Sequence, residues 1–292
     1  NSNADNIGGG SHGTPVAGII GAQGDNNKGV AGVNWNVKLM IVKNNEADLD
    51  EANVISAYSY PLEMRQLYNS SDGEQGAFVV ATNASWGIDF GQPGSAPLWC
   101  NFYDALGEAG IISCGATANN NVDVDLDGDL PTACPSDYLI SVTNLNDNDI
   151  KINNAGYGAT SIDLGAHGSG TVTVKDNNTY GEFSGTSGAC PHVSGAVALL
   201  YALPCPSLIE AAKENPATTA LLIKSYILDG VDQNASLQNI TVSGGRLNLY
   251  NSLLLAIEDC SSCPPPFSIL VENTGLNQAT LSWITAPDSD QQ

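Results

Sequence analysis

The sequence predicts an α/β protein with a doubly wound, mostly parallel sheet flanked by helices, followed by a truncated all-β fragment. Three observations predict this. Short, nearly continuous apolar runs at residues 38–42, 78–84, 111–116 and 139–143 suit parallel strands covered on both faces. Helical stretches alternate with them, as in successive βαβ units. Near the C-terminus the apolar pattern shortens to a period of two.

The elements follow in order. A helix over 50–69 carries Val54, Ile55, Tyr58, Leu62 and Leu67 at helical spacing, and Pro61 is expected to kink it. A second helix covers 97–109. Beyond Ser187 the chain turns mostly helical, over 193–203, 207–213, 217–228 and 247–257. Cys263-Pro264-Pro265-Pro266 then reads as a stiff extended linker. Runs at 267–271 and 279–283 alternate as strands do. The expected division is a large domain over 1–258, a Cys/Pro-rich linker over 259–266 and a last segment over 267–292. That last segment is too short for a sandwich of about seven strands, so it reads as an incomplete module.

Composition narrows the function. Asp and Glu number 31 against 9 Lys and Arg, a net charge of −22. Phosphate binding needs clustered cations, so nucleic acid is excluded as a partner and anionic membranes are disfavoured. No apolar run is long enough for a transmembrane helix, and no signal peptide is present. The chain opens on Asn1-Ser2-Asn3 and reads as an interior piece of a longer protein. Of the seven cysteines, Cys114 and Cys190 fall inside apolar elements and are expected as buried free thiols. A Cys100–Cys134 bridge, and one from Cys205 to Cys260 or Cys263, are expected. Such bridges fit an oxidising, extracellular setting.

Two motifs carry chemistry. Gly185-Thr186-Ser187-Gly188-Ala189-Cys190-Pro191-His192 sets a serine at a Gly-rich turn before an apolar helical run. Free N–H groups and the macrodipole there favour developing negative charge. Upstream, Ser11-His12-Gly13-Thr14-Pro15-Val16-Ala17-Gly18 opens an apolar helix on a histidine. Between them, the strand at 111–116 leads to Asn119. Serine, histidine and a carboxamide supply the nucleophile, the base and the oxyanion donor of acyl transfer.

In this order, H-G-T-x-V-A-G, a strand leading to Asn, and G-T-S-x-A-x-P-H-V-x-G resemble the subtilisin family of serine endopeptidases, over roughly residues 5 to 257. The sedolisins share G-T-S but use glutamate where this chain has His12. The resemblance implies a subtilisin-like fold and a secreted, monomeric endopeptidase acting on proteins or peptides through an acyl-enzyme. Ser187 is the implied nucleophile and His12 the general base and acid. Asn119 is the implied oxyanion donor. In subtilisin the loss of such a donor costs about 3–4 kcal/mol. Asn120 and Asn121 compete with it for that role, and His192 and His167 read as structural and loop residues. Gly188 departs from the bulkier residue usual after the serine.

The family's third catalytic group is an aspartate ending the first strand, a few tens of residues before the histidine. Asp5 lies too close to His12 for that role, so the aspartate is expected upstream of residue 1. The alternative is a catalytically inactive binding or surface protein on the same fold. Substrate is expected to pair as an added strand beside Ser85-Trp86-Gly87. Those residues and Ala116-Thr117-Ala118 would wall the pocket for the residue before the scissile bond. The walls carry little charge, which favours a large apolar or aromatic side chain, unless Trp86 narrows the pocket. Asp123, Asp125, Asp127 and Asp129 alternate around Gly128 as a possible structural Ca2+ loop, and Asp25-Asn26-Asn27 is a looser candidate. Pro131 matches a proline that is often cis in relatives. The last segment resembles the opening strands of a fibronectin type III module.

Overall fold

The computed structural model describes residues 11–43 and 50–260 and the backbone of 269–275 and 278–283. The elements are α1 (Gly13–Gly21), α2 (Glu51–Ser70), β1 (Ala81–Ala84), β2 (Ile88–Asp89), α3 (Pro97–Glu108), β3 (Ile112–Ala116), α4 (Val124–Asp127) and β4 (Asp129–Leu130). There follow β5 (Leu139–Leu145), β6 (Leu164–His167), β7 (Thr171–Lys175), β8 (Thr179–Phe183), α5 (Thr186–Tyr201), α6 (Pro206–Glu214) and α7 (Pro216–Asp229). The chain continues with β9 (Asp232–Gln233), β10 (Gly245–Arg246), α8 (Leu249–Glu258), β11 (Ile269–Gly275) and β12 (Gln278–Trp283).

The central sheet has the order β1-β3-β5-β6-β10-β9. All its pairs are parallel except β10 with β9. Side-chain alternation covers it on both faces. Ile112, Cys114 and Ala116 of β3, with Ile140 and Val142 of β5, pack under Ala189, Val193, Ala196, Val197 and Leu200 of α5. Ile111 and Leu139 point the other way, into a cluster with Val54 and Tyr58 of α2 and Trp99, Tyr103 and Leu106 of α3. This is the doubly wound α/β arrangement read from the apolar runs.

Local chemistry fixes the ends. Asp50 caps α2 by accepting the Asn53 N–H at 2.8 Å, and the helix continues through Pro61 as one element. Cys100–Cys134 and Cys205–Cys260 are disulfide-bonded, and Cys114 and Cys190 are free and buried. Cys263 and Asp5 lie outside the described residues. The Leu130–Pro131 peptide is cis. Among the described residues, no single helix is long and apolar enough to cross a membrane.

Three expectations are corrected. Residues 38–42 form no strand: Leu39, Met40, Ile41 and Val42 are 36–55 % exposed. Their β propensity is high, but a strand needs a partner, and none pairs with them among the described residues. α5 begins at Thr186 rather than at 193, because the Gly-rich turn ends at Gly185 and Pro191 is accommodated inside the helix. His167 is the last residue of β6 rather than a loop residue, its position fixed by pairing with Leu145. In the last segment β11 and β12 pair antiparallel, and Phe267 lies outside the described residues.

Trp99 anchors the face that carries the candidate site. It is fully buried, its Nε1–H donates to the Tyr103 hydroxyl at 2.9 Å, and its ring stacks on Trp86 at 5.6 Å. Trp99→Ala is expected to lower unfolding free energy by about 3–5 kcal/mol, read by denaturant titration. A loss below about 1 kcal/mol would contradict this packing role.

Candidate active site

Gly185 opens α5 at φ 111°, a left-handed conformation that L side chains rarely adopt. A Cβ there would also stand 2.9 Å from Asn119 Oδ1. Ser187 is therefore the second residue of the helix, where N–H groups have no helical acceptor. Among the described residues its N–H has no partner. Pro191, four residues on, has no N–H for the Ser187 carbonyl. Ser85 Oγ donates to that carbonyl instead at 3.0 Å, and Ser187 Oγ donates to the Ser85 carbonyl at 3.1 Å. The nucleophile candidate is thus braced against one expected pocket wall. Gly188 also has a reason: a Cβ there would lie 2.8 Å from the Gly168 carbonyl oxygen.

Asn119 is oriented by the same helix start. Its Oδ1 accepts from Thr186 N at 3.0 Å and Thr186 Oγ1 at 3.1 Å. The amide is fixed by that pattern, which leaves Nδ2 as a donor. The rival asparagines are engaged elsewhere: Asn120 Nδ2 donates to Asp89 Oδ2, and Asn121 Oδ1 accepts from Lys151 Nζ.

An open cleft of about 280 Å³ joins these groups. Ser85, Trp86 and Gly87 line it with Ala116, Thr117 and Ala118, and so do Asn119 and Ser187. The eight residues assigned from sequence to the pocket walls, the oxyanion donor and the nucleophile therefore share one cavity. Two more also line it, and they correct the expectation of walls with little charge: Asp89 and Asp129. They are cross-strand partners of the short β2–β4 ribbon. Nothing in the sequence singles out Asp89, and the D-x-D-x-D-G pattern points Asp129 to a calcium loop instead. Two-residue strands paired across about forty positions leave no periodic signal to read.

Asp129 is 1 % exposed. Burial lifts its carboxyl pKa to about 7, opposed by hydrogen bonds from Thr132 and the Ala118 N–H and aided by the charge of Asp89. The folded chain thus holds this proton more tightly than the unfolded chain, so stability from this group falls as pH rises from about 4 to about 7. The full gap corresponds to about 4 kcal/mol. Asp129→Asn keeps an acceptor for both donors and removes that slope. Its melting temperature is expected to exceed that of the parent chain by a margin that widens between about pH 5 and about pH 8. A margin independent of pH would show that the carboxyl is already ionised in the fold at about pH 5 and that its pKa is not raised.

His12 stands immediately before α1, exposed, with its ring edge-on to Phe183 at 5.3 Å. α1 itself lies against α5 and β7, and Thr173 Oγ1 donates to the Pro15 carbonyl at 3.0 Å. Ser187 and His12 share no hydrogen bond, since the hydroxyl turns to Ser85. Among the described residues no carboxylate contacts the imidazole to orient it. His192 donates from Nδ1 to the Gly188 carbonyl at 2.9 Å, and burial holds its pKa below the ordinary value, as suits a structural histidine. His167 pairs with Asp149 at 2.7 Å.

The expected calcium loop does not assemble. Asp123 caps α4 and accepts the Asp125 N–H at 3.2 Å, while Asp125 accepts from the N–H groups of Thr160 and Ser161. Asp129 turns into the cleft, and Asp127 closes α4. Asp25 and Asn27 adopt positive φ, and Asn26 accepts the Lys28 N–H. Among the described residues no group of three or more His, Cys, Asp or Glu is placed to hold a metal ion. A helical turn separates these carboxylates where a calcium loop would converge them.

Comparison with known proteins fits this architecture. The profile of the Subtilase family, Peptidase_S8, matches residues 1–242. Subtilisin-like protease 1 of Plasmodium berghei is 24 % identical over 275 residues, covering 86 % of this chain and 40 % of that protein. The chain therefore spans less than half the length of that relative. Subtilisin BL of Lederbergia lenta is 26 % identical, over 86 % of this chain and 77 % of its own. The prenylagaramide maturation protease PagA superposes with a TM-score of 0.64 at 21 % identity, covering 84 % of this chain and 82 % of that structure. At that identity the superposition speaks to fold alone. With the family profile covering most of its length, the chain belongs to the subtilase family of subtilisin-like serine proteases.

Proposed function

We propose that this chain is the catalytic part of a secreted serine endopeptidase that cleaves protein or peptide substrates through an acyl-enzyme. One observation carries the reading. Ser187, whose N–H at a helix start has no partner among the described residues, and Asn119, whose Oδ1 is engaged so that Nδ2 remains a donor, line one cleft between two backbone walls. Ser187 Oγ attacks the scissile carbonyl, and the Ser187 N–H and Asn119 Nδ2 receive the oxyanion. His12 takes the hydroxyl proton and returns it to the leaving amine. Substrate backbone pairs beside Ser85-Trp86-Gly87.

The orienting carboxylate for His12 is assigned to a segment preceding residue 1. Support comes from β1, which pairs with β3 alone among the described residues and so offers an open sheet edge, and from the unpaired apolar run at 38–42. Secretion is supported by two disulfides. Residues 267–292 are assigned to the opening of a fibronectin type III module, and the antiparallel pairing of β11 with β12 supports it.

Labelling of the full-length protein with a fluorophosphonate serine probe tests the reading. Labelling that disappears in Ser187→Ala is the expected result. No labelling, or equal labelling of both, would leave the non-catalytic alternative.

A further inference from the structure

We propose that Asp129 and Asp89 make the cleft beside Ser187 a receptor for a cationic side chain, so that the enzyme cleaves after lysine or arginine. The proposal rests on the peptidase reading above and names its substrate class.

Asp129 is 1 % exposed and lines the cleft. Both hydrogen bonds it receives go to one oxygen: Oδ2 accepts from Ala118 N at 3.0 Å and Thr132 Oγ1 at 2.5 Å. Oδ1 has no partner among the described residues, so an acceptor remains for whatever enters the cavity. Ionising a buried carboxyl is costly while one oxygen lacks a partner, and a cation entering the cavity would offset that cost.

Asp89 supplies the second part. It lies directly opposite Asp129 in the β2–β4 ribbon and lines the same cleft. Like charges in that cross-strand position repel. Among the described residues neither carboxylate takes part in an ion pair, and Asp89 accepts only from Asn120 Nδ2, at 3.1 Å. An ammonium or guanidinium entering between the walls would meet both carboxylates at once. Such charge-assisted contacts are roughly twice as strong as neutral ones. The other lining groups bring no opposing cation: Ser85, Trp86, Gly87 and Ala116 to Asn119 are all uncharged. Trp86, stacked on Tyr58 and Trp99, offers a flat surface along which an aliphatic stem can lie.

The test compares kcat/KM of the full-length protein on peptidyl p-nitroanilides that differ only in the residue before the scissile bond. Lysine is set against norleucine, its uncharged isostere. The expected lysine-to-norleucine ratio is at least about 100, falling about 100-fold in Asp129→Asn and about 10-fold in Asp89→Asn. A ratio is insensitive to partial misfolding, which scales both substrates together. Titration with fluorescent p-aminobenzamidine gives a readout that needs no catalysis, and its binding is expected to weaken about 100-fold in Asp129→Asn. Fluorophosphonate labelling with a ratio near or below one would overturn the selectivity while leaving the peptidase reading intact. Benzamidine binding that depends on Asp129 in an unlabelled protein would uphold the cation pocket and overturn the peptidase reading alone. Binding indifferent to Asp129 would overturn the pocket.

Discussion

Ser187→Ala in the full-length protein is expected to lower kcat for peptide hydrolysis by about 10⁶-fold, the size of the corresponding loss in subtilisin itself. Several geometric facts support so large an effect at this position. The serine sits at the second residue of a buried helix, so its N–H points out of the helix start with no competing acceptor among the described residues. Its carbonyl and hydroxyl are both engaged by Ser85, which fixes the backbone to the pocket wall. Pro191 makes that brace necessary, because it withdraws the N–H that would otherwise satisfy the Ser187 carbonyl. Removing the hydroxyl deletes the nucleophile and leaves the oxyanion site, so a residual rate of about 10³–10⁴ over water is expected. Single-turnover assays with an activated peptide ester check it. A loss of less than about tenfold would assign the chemistry to another group.

Contiguity decides what is legible in the sequence. The G-T-S motif is one turn and one helix start, and both pocket walls are short runs at strand ends. Local pattern is enough for them, and the cavity is lined by Ser187 of the motif and by all six wall residues. Asp129 misleads because D-x-D-x-D-G is a strong local pattern. Its meaning is decided by the Ala118 N–H and a strand partner about forty residues away. The run at 38–42 has sound strand propensity, but pairing is a property of the neighbour. Gly188 departs from the family pattern for a reason that only the fold discloses, the Gly168 carbonyl 2.8 Å from where its Cβ would lie. Retaining Asp129 also illustrates a trade between stability and function: the carboxyl costs stability above about pH 4 and supplies the charge on which side-chain selection depends.

Residues 1–292, prepared alone, are expected to hydrolyse peptides about 10⁴-fold more slowly than the full-length protein, the loss that follows when a triad imidazole lacks its orienting carboxylate. The geometry at His12 matches such a loss. Its ring is exposed and leans on Phe183, and the Ser187 hydroxyl points to a carbonyl instead of an imidazole. A base in that state must pass through many ring orientations before it meets the hydroxyl, so proximity contributes little. The open edge of β1 offers ladder positions for one more parallel strand, and Ala81, Thr82 and Asn83 along it are only partly buried. A strand laid there and ending in aspartate would close an edge that folded proteins rarely leave bare. In the full-length protein, backbone amides of β1 are accordingly expected to exchange more slowly than in the shorter chain. Substituting asparagine for that upstream aspartate should reproduce the slow rate while leaving the amides protected. Equal hydrolysis by the short and full-length proteins would overturn the assignment, and His12 would then need an orienting group within residues 1–292.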